Sequence, residues 1–371
     1  MTTIKEVAAE AGVSTATVSR VLANKPHIKK ELQEKVYNAV KKLNYRPNHI
    51  ARNLRNRQSS TIGIIVADLG NPFFSLISRE IEKAAYAKGM AVLLFNSDED
   101  PNKEAICLEL LKDERVSGAI IAPTSKTANS TTKRIDIGIP IVAINRKIQS
   151  MDVDSVLIDN FNSAYNLTCH LADDGYRRIG GIFSLDNSTI RARYEGFRKA
   201  LQDRSIQPVP ELELMNNTTE EDGYRAAETL LGMRERPEVI FAANGIIATG
   251  AFRNLIDNRI RIPEDIGFVC FDEQAWTPLV NPKITVVKQP TYEIGKTAIE
   301  LLFSRIAEPD RPIRDIILRG EIIIRGSCKK AGSHAHDSIL TDRNCHFGYF
   351  SVLRRNSAVT PNYDCFLSPN N

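Results

Sequence analysis

The chain has 371 residues, of which 42% are hydrophobic and 25% are charged, as in an ordinary globular protein with room for two or three domains. Its net charge of +4 is unevenly distributed, because residues 1–57 hold twelve Lys and Arg against four Asp and Glu. A basic segment ahead of a mildly acidic remainder indicates a polyanionic partner for that segment. No apolar run is long enough to cross a bilayer and MTTIKEVAAE lacks a signal-peptide core, so we expect a cytoplasmic protein with no membrane partner.

Residues 1–45 have the periodicity of three short helices. Thr3 is placed to cap the first helix and Gly12 to break it. The third helix is predicted over Glu31–Leu43, and Lys29 cannot cap its start. Two short helices around a glycine turn, braced by a third, indicate a helix-turn-helix unit whose second helix fits the major groove of DNA. A small helical bundle with a polar surface is the alternative.

The segment 46–60 begins RPNHIARNLRNR, which carries four arginines and no acid. Ile50, Ala51 and Leu54 fall on one side of a helix of about ten residues, and a helix that short is marginal in water. We therefore expect it to be helical only when a second copy or a DNA groove holds it. From this stretch alone, a solvated basic linker is the alternative. The polar residues 58–60 mark a domain boundary.

The strings TIKEVAAEAGVSTATVSRVLAN and YRPNHIARNLR together resemble the LacI/GalR family of bacterial repressors without a gap. The resemblance implies a homodimer on double-stranded operator DNA, in which 46–60 becomes a hinge helix. Leu54 would wedge between base steps in the minor groove, with Arg55 following it. In the head, the resemblance assigns base-reading positions to Thr15, Ala16 and Arg20 and phosphate-contacting positions to Ser14, Thr17, Ser19 and Asn24.

Residues 61–328 alternate short, apolar, β-branched runs with helical stretches. This alternation predicts an α/β body of two doubly wound parallel-sheet lobes in tandem. The resemblance implies a bilobal, periplasmic-binding-protein-like body for effector binding and dimerisation. We place lobe one at 61–159 and 290–320 and lobe two at 160–289 and 321–328, with crossovers near Asp159, Gln289 and Gly320. The late segment ILRGEIIIRG is predicted as one long strand.

Candidate ligand-binding residues lie at or just past strand ends, where sheets of this class bind ligands. Asn145 and Gly245 stand where the family commonly has an acid, while two arginines remain. That balance favours an anionic effector, such as a sugar acid or sugar phosphate, over a neutral sugar, a nucleobase or a protein partner. The expected ligand-binding residues are Phe73, Phe74, Asn145, Arg146, Arg193, Asn244, Asp272 and Trp276.

Residues 329–371 extend past the usual end of the family and have no sustained periodicity, so we expect a mostly disordered extension. A His-x-His pair with a nearby Cys occurs there, but nothing orders such ligands, and no metal site is expected. Elsewhere, four scattered cysteines without a CxxC pair predict buried, reduced thiols in place of a disulfide framework or a zinc site. These are Cys107, Cys169, Cys270 and Cys328.

Three function classes fit parts of this pattern. A transport-type solute-binding protein would use the body alone, but it needs export and has no use for the basic head. An enzyme of the doubly wound class should show GxGxxG after a strand, a P-loop or a nucleophile elbow, and the sequence has none of them. We therefore predict a non-enzymatic transcription regulator without a cofactor, a repressor in the simplest case, controlled by a sugar or sugar derivative.

Overall fold

A computed structural model of the chain describes residues 2–22, 28–45, 59–130 and 138–328. These residues fall into two units that divide between Ser60 and Thr61. Three predicted DNA contacts, Asn24, Leu54 and Arg55, lie outside the described residues. The predicted extension 329–371 lies outside them as well.

Within its described residues, the N-terminal unit has three helices around an apolar core. Thr3 and Glu6 form a capping box, in which the Glu6 amide donates to Thr3 Oγ1 and the Thr3 amide donates to Glu6 Oε2. Gly12 then takes a left-handed φ of 64°, which glycine adopts without a Cβ clash, so the chain can turn sharply. As predicted, Lys29 makes no side-chain capping bond. The helices are α1, Ile4–Ala11; α2, Thr15–Leu22; and α3, Lys30–Lys42.

In the second unit, short buried strands alternate with helices, which confirms the predicted α/β body. The strands are β1, Thr61–Val66; β2, Ala91–Asn96; β3, Ala119–Ile121; β4, Ile141–Ile144; β5, Asp154–Ile158; β6, Ile179–Phe183; β7, Glu213–Met215; β8, Val239–Ala242; β9, Gly267–Phe271; β10, Thr285–Lys288; β11, Asp315–Leu318; and β12, Glu321–Ile323. The helices are α4, Pro72–Ala87; α5, Pro101–Asp113; α6, Ser125–Asn129; α7, Asn160–Asp173; α8, Ser188–Asp203; α9, Glu220–Gly232; α10, Gly245–Asp257; and α11, Thr291–Ala307.

The strands form two sheets of six strands each, one per lobe. The first sheet has the order β11-β5-β4-β3-β1-β2, and all its pairs are parallel. The second has the order β12-β10-β9-β8-β6-β7, and only its β10–β12 pair is antiparallel. Parallel strands need crossover helices, and these cover both faces of each sheet.

Alternate residues of β1 show how both faces of a sheet are buried. Ile62 and Ile64 join a core with α4 and α11, whereas Ile65 points the other way into a core with α5. Gly63 lies where an added Cβ would meet Leu111 of α5 at 2.5 Å, so glycine allows this helix to pack closely. Burial on both faces explains why these strands read as continuous apolar runs.

The predicted long strand ILRGEIIIRG is wrong, because this segment forms two strands in different sheets. β11 pairs with β5 of the first sheet, and β12 pairs with β10 of the second. The chain passes between the sheets at Arg319 and Gly320, as it also does after β5 and after β10. At Gly320 an added Cβ would lie 2.8 Å from Val287, which favours glycine in this tight passage.

Candidate functional site

A cavity lies at the carboxyl ends of strands from both sheets. This is the edge at which doubly wound sheets bind ligands. Its walls come from the first lobe, the second lobe and the passage after β10. The lining residues are Asp68, Asn71, Phe73, Phe74, Glu99, Asn145, Arg146, Asn187, Thr189, Ile190, Arg193, Thr218, Asn244, Ile246, Asp272 and Gln289.

The structure brings together seven of the eight residues named from the sequence as ligand-binding. Only Trp276 is not among the lining residues. Its indole stacks on Phe252 with ring centroids 4.5 Å apart, and its Nε1 donates to Thr249 Oγ1 at 3.0 Å. Because the ring and its polar atom are both used in packing the second lobe, we withdraw Trp276 from the site. The residues brought together are Phe73, Phe74, Asn145, Arg146, Arg193, Asn244 and Asp272.

In the first lobe, the buried Arg146 is paired with a carboxylate. Its Nη1 donates to the Pro123 carbonyl at 2.8 Å and lies 2.7 Å from Glu99 Oε1. The other oxygen of Glu99 accepts from the Ser125 amide at 2.9 Å, which fixes the carboxylate. The Arg146 Nε is buried and has no hydrogen-bond partner among the described residues. It is therefore an unsatisfied donor on a residue that lines the cavity.

In the second lobe, the buried Arg193 is held by neutral groups. Its Nε donates to Asn160 Oδ1 at 2.8 Å and its Nη1 donates to the Ala243 carbonyl at 2.7 Å. The guanidinium lies 3.6 Å from the centre of the Phe271 ring, a cation–π contact. Burial lowers the pKa of Arg193 to about 10, against the opposing field of Asp272. Arg193 therefore remains protonated at neutral pH, without a carboxylate bonded to it.

Asp272 follows β9 with a left-handed φ of 77° that turns its side chain toward the cavity. Its Oδ2 accepts from the Gly245 amide at 3.0 Å, and its Oδ1 accepts from Gln289 Nε2. A Cβ at Gly245 would lie 1.8 Å from Gln274 Nε2, so the Gln274 side chain occupies the room of a residue at 245. The buried Gln289 Oε1 has no hydrogen-bond partner in the described structure, which leaves it as an acceptor in the wall.

Three asparagines line the cavity at helix N-termini. Asn71, Asn187 and Asn244 cap α4, α8 and α10, and each uses its Oδ1 to accept from backbone amides of the first turn. An asparagine whose carbonyl oxygen is occupied in this way still has its Nδ2 amide as a donor. The lining thus offers amide donors beside carboxylate acceptors, the mixture that hydroxyl groups match because they both donate and accept.

The premise behind the predicted anionic effector needs correction. The sequence comparison with the family suggested that acids were missing, but Glu99 and Asp68 join Asp272 in the lining. Against these three carboxylates stand two guanidiniums, those of Arg146 and Arg193. The lining therefore carries no excess positive charge. An anionic effector would gain little electrostatic binding energy over a neutral one.

In the N-terminal unit, the predicted base-reading residues lie on the second helix. Ala16 and Arg20 are exposed four residues apart, and so lie on one face of α2, while Thr15 is half-buried. Ser14 caps the helix by accepting from the Thr17 amide at 3.1 Å, and the two hydroxyls lie 2.9 Å apart. Ser19, the remaining described phosphate-contact candidate, is half-buried.

The segments of the chain match two family models. Residues 3–48 match the model described as bacterial regulatory proteins, lacI family, and residues 168–328 match the periplasmic binding protein-like domain. In the described part of the chain, no helix is long and apolar enough to span a membrane. The match to a DNA-binding family favours a regulator over the transport-type alternative.

Relatives resemble the chain over most of its length. The transcriptional repressor PurR of Mannheimia succiniciproducens is 33% identical over 332 residues, which are 89% of this chain and 99% of that protein. The regulator of the NTD biosynthesis operon, NtdR of Bacillus subtilis, is 32% identical over 329 residues, 88% of this chain and 100% of that protein.

Solved structures give the same result. The complex of the transcriptional regulator CelR with cellobiose has a TM-score of 0.64 and 26% identity and covers 88% of this chain and 100% of its own. A LacI-family regulator from Enterococcus faecium with bound ribose has a TM-score of 0.63 and 28% identity. The match covers 72% of this chain and 98% of that one. The Lac repressor dimer bound to operator and ONPF shares the fold, with a TM-score of 0.77 and 24% identity. The match covers 89% of this chain and 99% of that one. The chain therefore belongs to the LacI family of bacterial regulatory proteins, and it is a DNA-binding transcriptional regulator with an effector-binding body.

Proposed function

We propose that this regulator is a homodimeric repressor whose cleft takes a neutral, polyhydroxylated effector, a sugar or a compound built on one. The observation that carries the proposal is the compensated pair of arginines. Arg146 Nη1 lies 2.7 Å from Glu99 Oε1. The charge of Arg193 is partly compensated by Asp272, and its guanidinium lies over the Phe271 ring. Neither guanidinium therefore requires an anion as a ligand, and both belong to residues that line the cavity.

The remaining lining suits the two faces of a sugar ring. Phe73 and Phe74 offer aromatic surface for the C–H face, and their rings meet edge to face with centroids 5.1 Å apart. The asparagine amides and the carboxylates offer donors and acceptors for the ring hydroxyls. The molecules bound in the CelR and Enterococcus faecium structures, cellobiose and ribose, are uncharged sugars, which supports this choice.

A dimer is supported by exposed apolar side chains on the first lobe. Leu94 lies on β2, the edge strand of its sheet, and is 45% exposed, while Ile106 on α5 is 57% exposed. Leu76 on α4 and Leu110 on α5 are exposed in the same lobe. An edge strand and neighbouring helices with apolar exposure form a surface that a second copy can cover.

The proposed division of labour is residues 1–45 for DNA, 46–60 as a hinge helix, and 61–328 for effector and dimer contacts. An effector between the lobes stabilises one lobe arrangement, which changes the spacing of the two hinge helices in the dimer. By linkage, it alters operator affinity only as far as it discriminates the two arrangements. The chain acts through binding and performs no catalysis in this scheme.

The test is calorimetry of the full chain with matched pairs, such as glucose with glucuronate and ribose with ribose 5-phosphate, followed by gel retardation on palindromic DNA. We expect the neutral member of a pair to bind at least about tenfold more tightly, a difference of about 1.4 kcal/mol. A preference for the anionic member would overturn the proposed effector class. Binding without any change in operator affinity would overturn the regulatory coupling.

The hinge proposal has its own test. Leu54→Ala should weaken operator binding, because an apolar wedge that kinks DNA is lost, while effector affinity stays the same. The matched control is Ile50→Ala in the same segment. Unchanged operator affinity for Leu54→Ala would refute the wedge.

A further inference from the structure

A cluster of metal-ligating side chains lies in the second lobe, away from the cleft. His170 belongs to the last turn of α7, Asp174 follows that helix, and Cys328 ends the short 3₁₀ helix Gly326–Cys328. One ligand atom from each of the three lies within 4.8 Å of the other two. Nothing in the repressor mechanism uses these residues.

We propose that His170, Asp174 and Cys328 form a binding site for a divalent transition metal of the zinc class. Zinc binds sulfur at about 2.3 Å and nitrogen or oxygen at about 2.0–2.2 Å, so tetrahedral neighbours are about 3.3–3.6 Å apart. Here His170 Nε2 is 3.5 Å from Asp174 Oδ2 and 3.8 Å from Cys328 Sγ. The third separation, between ligand atoms of Asp174 and Cys328, is within 4.8 Å, so binding one ion would draw these two side chains closer together.

The chemistry of the three groups fits the same ion. Thiolate, imidazole and carboxylate are the ligands that zinc prefers, and a thiolate with a carboxylate neutralises its two positive charges. On binding, the Cys328 thiol releases its proton to solvent and its sulfur coordinates the metal. His170 and Asp174 are partly exposed, with side chains 15% and 27% accessible, so a water can take the fourth position.

The backbone around the cluster is already fixed. Ser327 Oγ accepts from the Thr285 amide at 2.8 Å and donates to the Phe268 carbonyl at 2.6 Å, which holds the turn that carries Cys328. Cys328 Sγ lies 3.2 Å from Thr285 Oγ1, a hydroxyl that can donate to a metal-bound sulfur. The i, i+4 spacing of His170 and Asp174 at the end of α7 places them on one face. A bound metal would tie the last turn of the body to this helix.

The test is zinc titration of the full chain against a chromophoric chelator, with Co²⁺ substitution to detect a thiolate-to-cobalt charge-transfer band. We expect one tightly bound ion per chain and the band in the unmodified protein. Cys328→Ser and His170→Ala should weaken binding at least about 100-fold, since losing even an outer-shell partner costs about 10–100-fold. Asp174→Asn, which keeps the size of a partly exposed side chain, should weaken binding at least about tenfold.

Controls separate this cluster from other metal-binding groups. Cys169→Ser removes a neighbouring buried thiol on α7, and the double variant His334→Ala with His336→Ala removes the His-x-His pair. Both should bind zinc within about twofold of the unmodified protein. If Cys328→Ser fails to fold, Asp174→Asn and the cobalt band still decide the matter. Absence of the band, affinity unchanged in Asp174→Asn, or loss of binding in the His334/His336 variant would each overturn the proposal.

Discussion

The two lobes share one sheet order, but the charges of the buried Asp154 and Arg193 are compensated in different ways. In the first, Asp154 is fully buried and accepts from Arg311 at 2.7 Å and from Arg305 at 3.0 Å, as Glu99 does from Arg146 in the cleft. In the second, the cleft arginine meets an amide oxygen, a carbonyl and an aromatic ring. Around these residues the first lobe uses paired charges and the second uses dipoles, although elsewhere the second lobe also has a buried ion pair, in which Glu213 accepts from Arg198 at 2.8 Å.

The chain segments next to the late strands β11 and β12 are fixed by different groups. The segment leading to β11 is held by Asp154, which also accepts from the Arg314 amide at 2.9 Å. The segment after β12 is held by the Ser327 hydroxyl, bonded to the Thr285 amide and the Phe268 carbonyl, and by the ion pair of Arg325 with Glu273. Removing one partner of a buried ion pair leaves an uncompensated charge, whereas removing a neutral hydroxyl loses only hydrogen bonds. Substitutions at Asp154 and at Ser327 should therefore differ in how much they destabilise the protein.

The largest effect is expected for Asp154→Asn. This change leaves the buried Arg311 and Arg305 without a counter-charge and should lower the free energy of unfolding by about 3–5 kcal/mol. Urea denaturation monitored by circular dichroism measures it. The exposed Asp310→Asn is the matched control and should change little. Equal midpoints for both variants would show that this charge cluster does not stabilise lobe one.

Arg193→Ala should be next. It removes the donor to Asn160 Oδ1 and the Ala243 carbonyl and takes a cation from the cleft wall. Effector affinity, measured by calorimetry, should fall at least about 100-fold, or about 2.7 kcal/mol. Arg191→Ala, on the same helix and bonded to the Leu185 carbonyl, should bind the effector normally. Equal affinities for the two variants would exclude Arg193 from the site.

Ser327→Ala tests how much the hydrogen bonds of this hydroxyl group stabilise the second lobe. Losing two buried hydrogen bonds at about 1 kcal/mol each should reduce the free energy of unfolding by about 2 kcal/mol. The exposed Ser75→Ala, which loses a bond within one helical turn, serves as the control in the same denaturation experiment. A loss as large as that of Asp154→Asn would erase the proposed difference between the lobes.

Glu99→Gln makes the first-lobe arginine resemble the second. The substitution keeps an oxygen near Arg146 but removes the negative charge. The ratio of affinities for a sugar acid and its neutral sugar should move toward the acid by about tenfold, or about 1.4 kcal/mol. Asp98→Asn, a neighbouring exposed acid, should leave the ratio as it is. An unchanged ratio in Glu99→Gln would mean that this pair does not set the charge preference.

Most strands and helices could be predicted because apolar periodicity is a local signal, but the short β7 and the short α6 were not. The role of Glu99 in the cavity could not be predicted, because Glu99 lies in the acidic run of residues 98–100 after β2. There Asp98 pairs with Lys103 and Asp100 caps α5, and only the fold selects which acid turns inward. Trp276 failed for a related reason, because a ring near a strand end can equally pack into the core. The residue pattern alone joined the segment around Gly320 into one strand, because apolar residues lie on both sides of it, whereas the resemblance to the family implied a crossover there.

The repeated passage of the chain between its two sheets has a consequence for how such genes diversify. Neither lobe is one uninterrupted stretch, since the first needs both β1–β5 and β11. A recombination event that exchanged one piece of the gene would join half of a lobe to a foreign half, with mismatched cores. The DNA-reading head, joined once at Ser60 and Thr61, carries no such penalty. New operator preferences can thus be acquired by recombination of the head. For new effector preferences, point substitutions within the lobes are the favoured route.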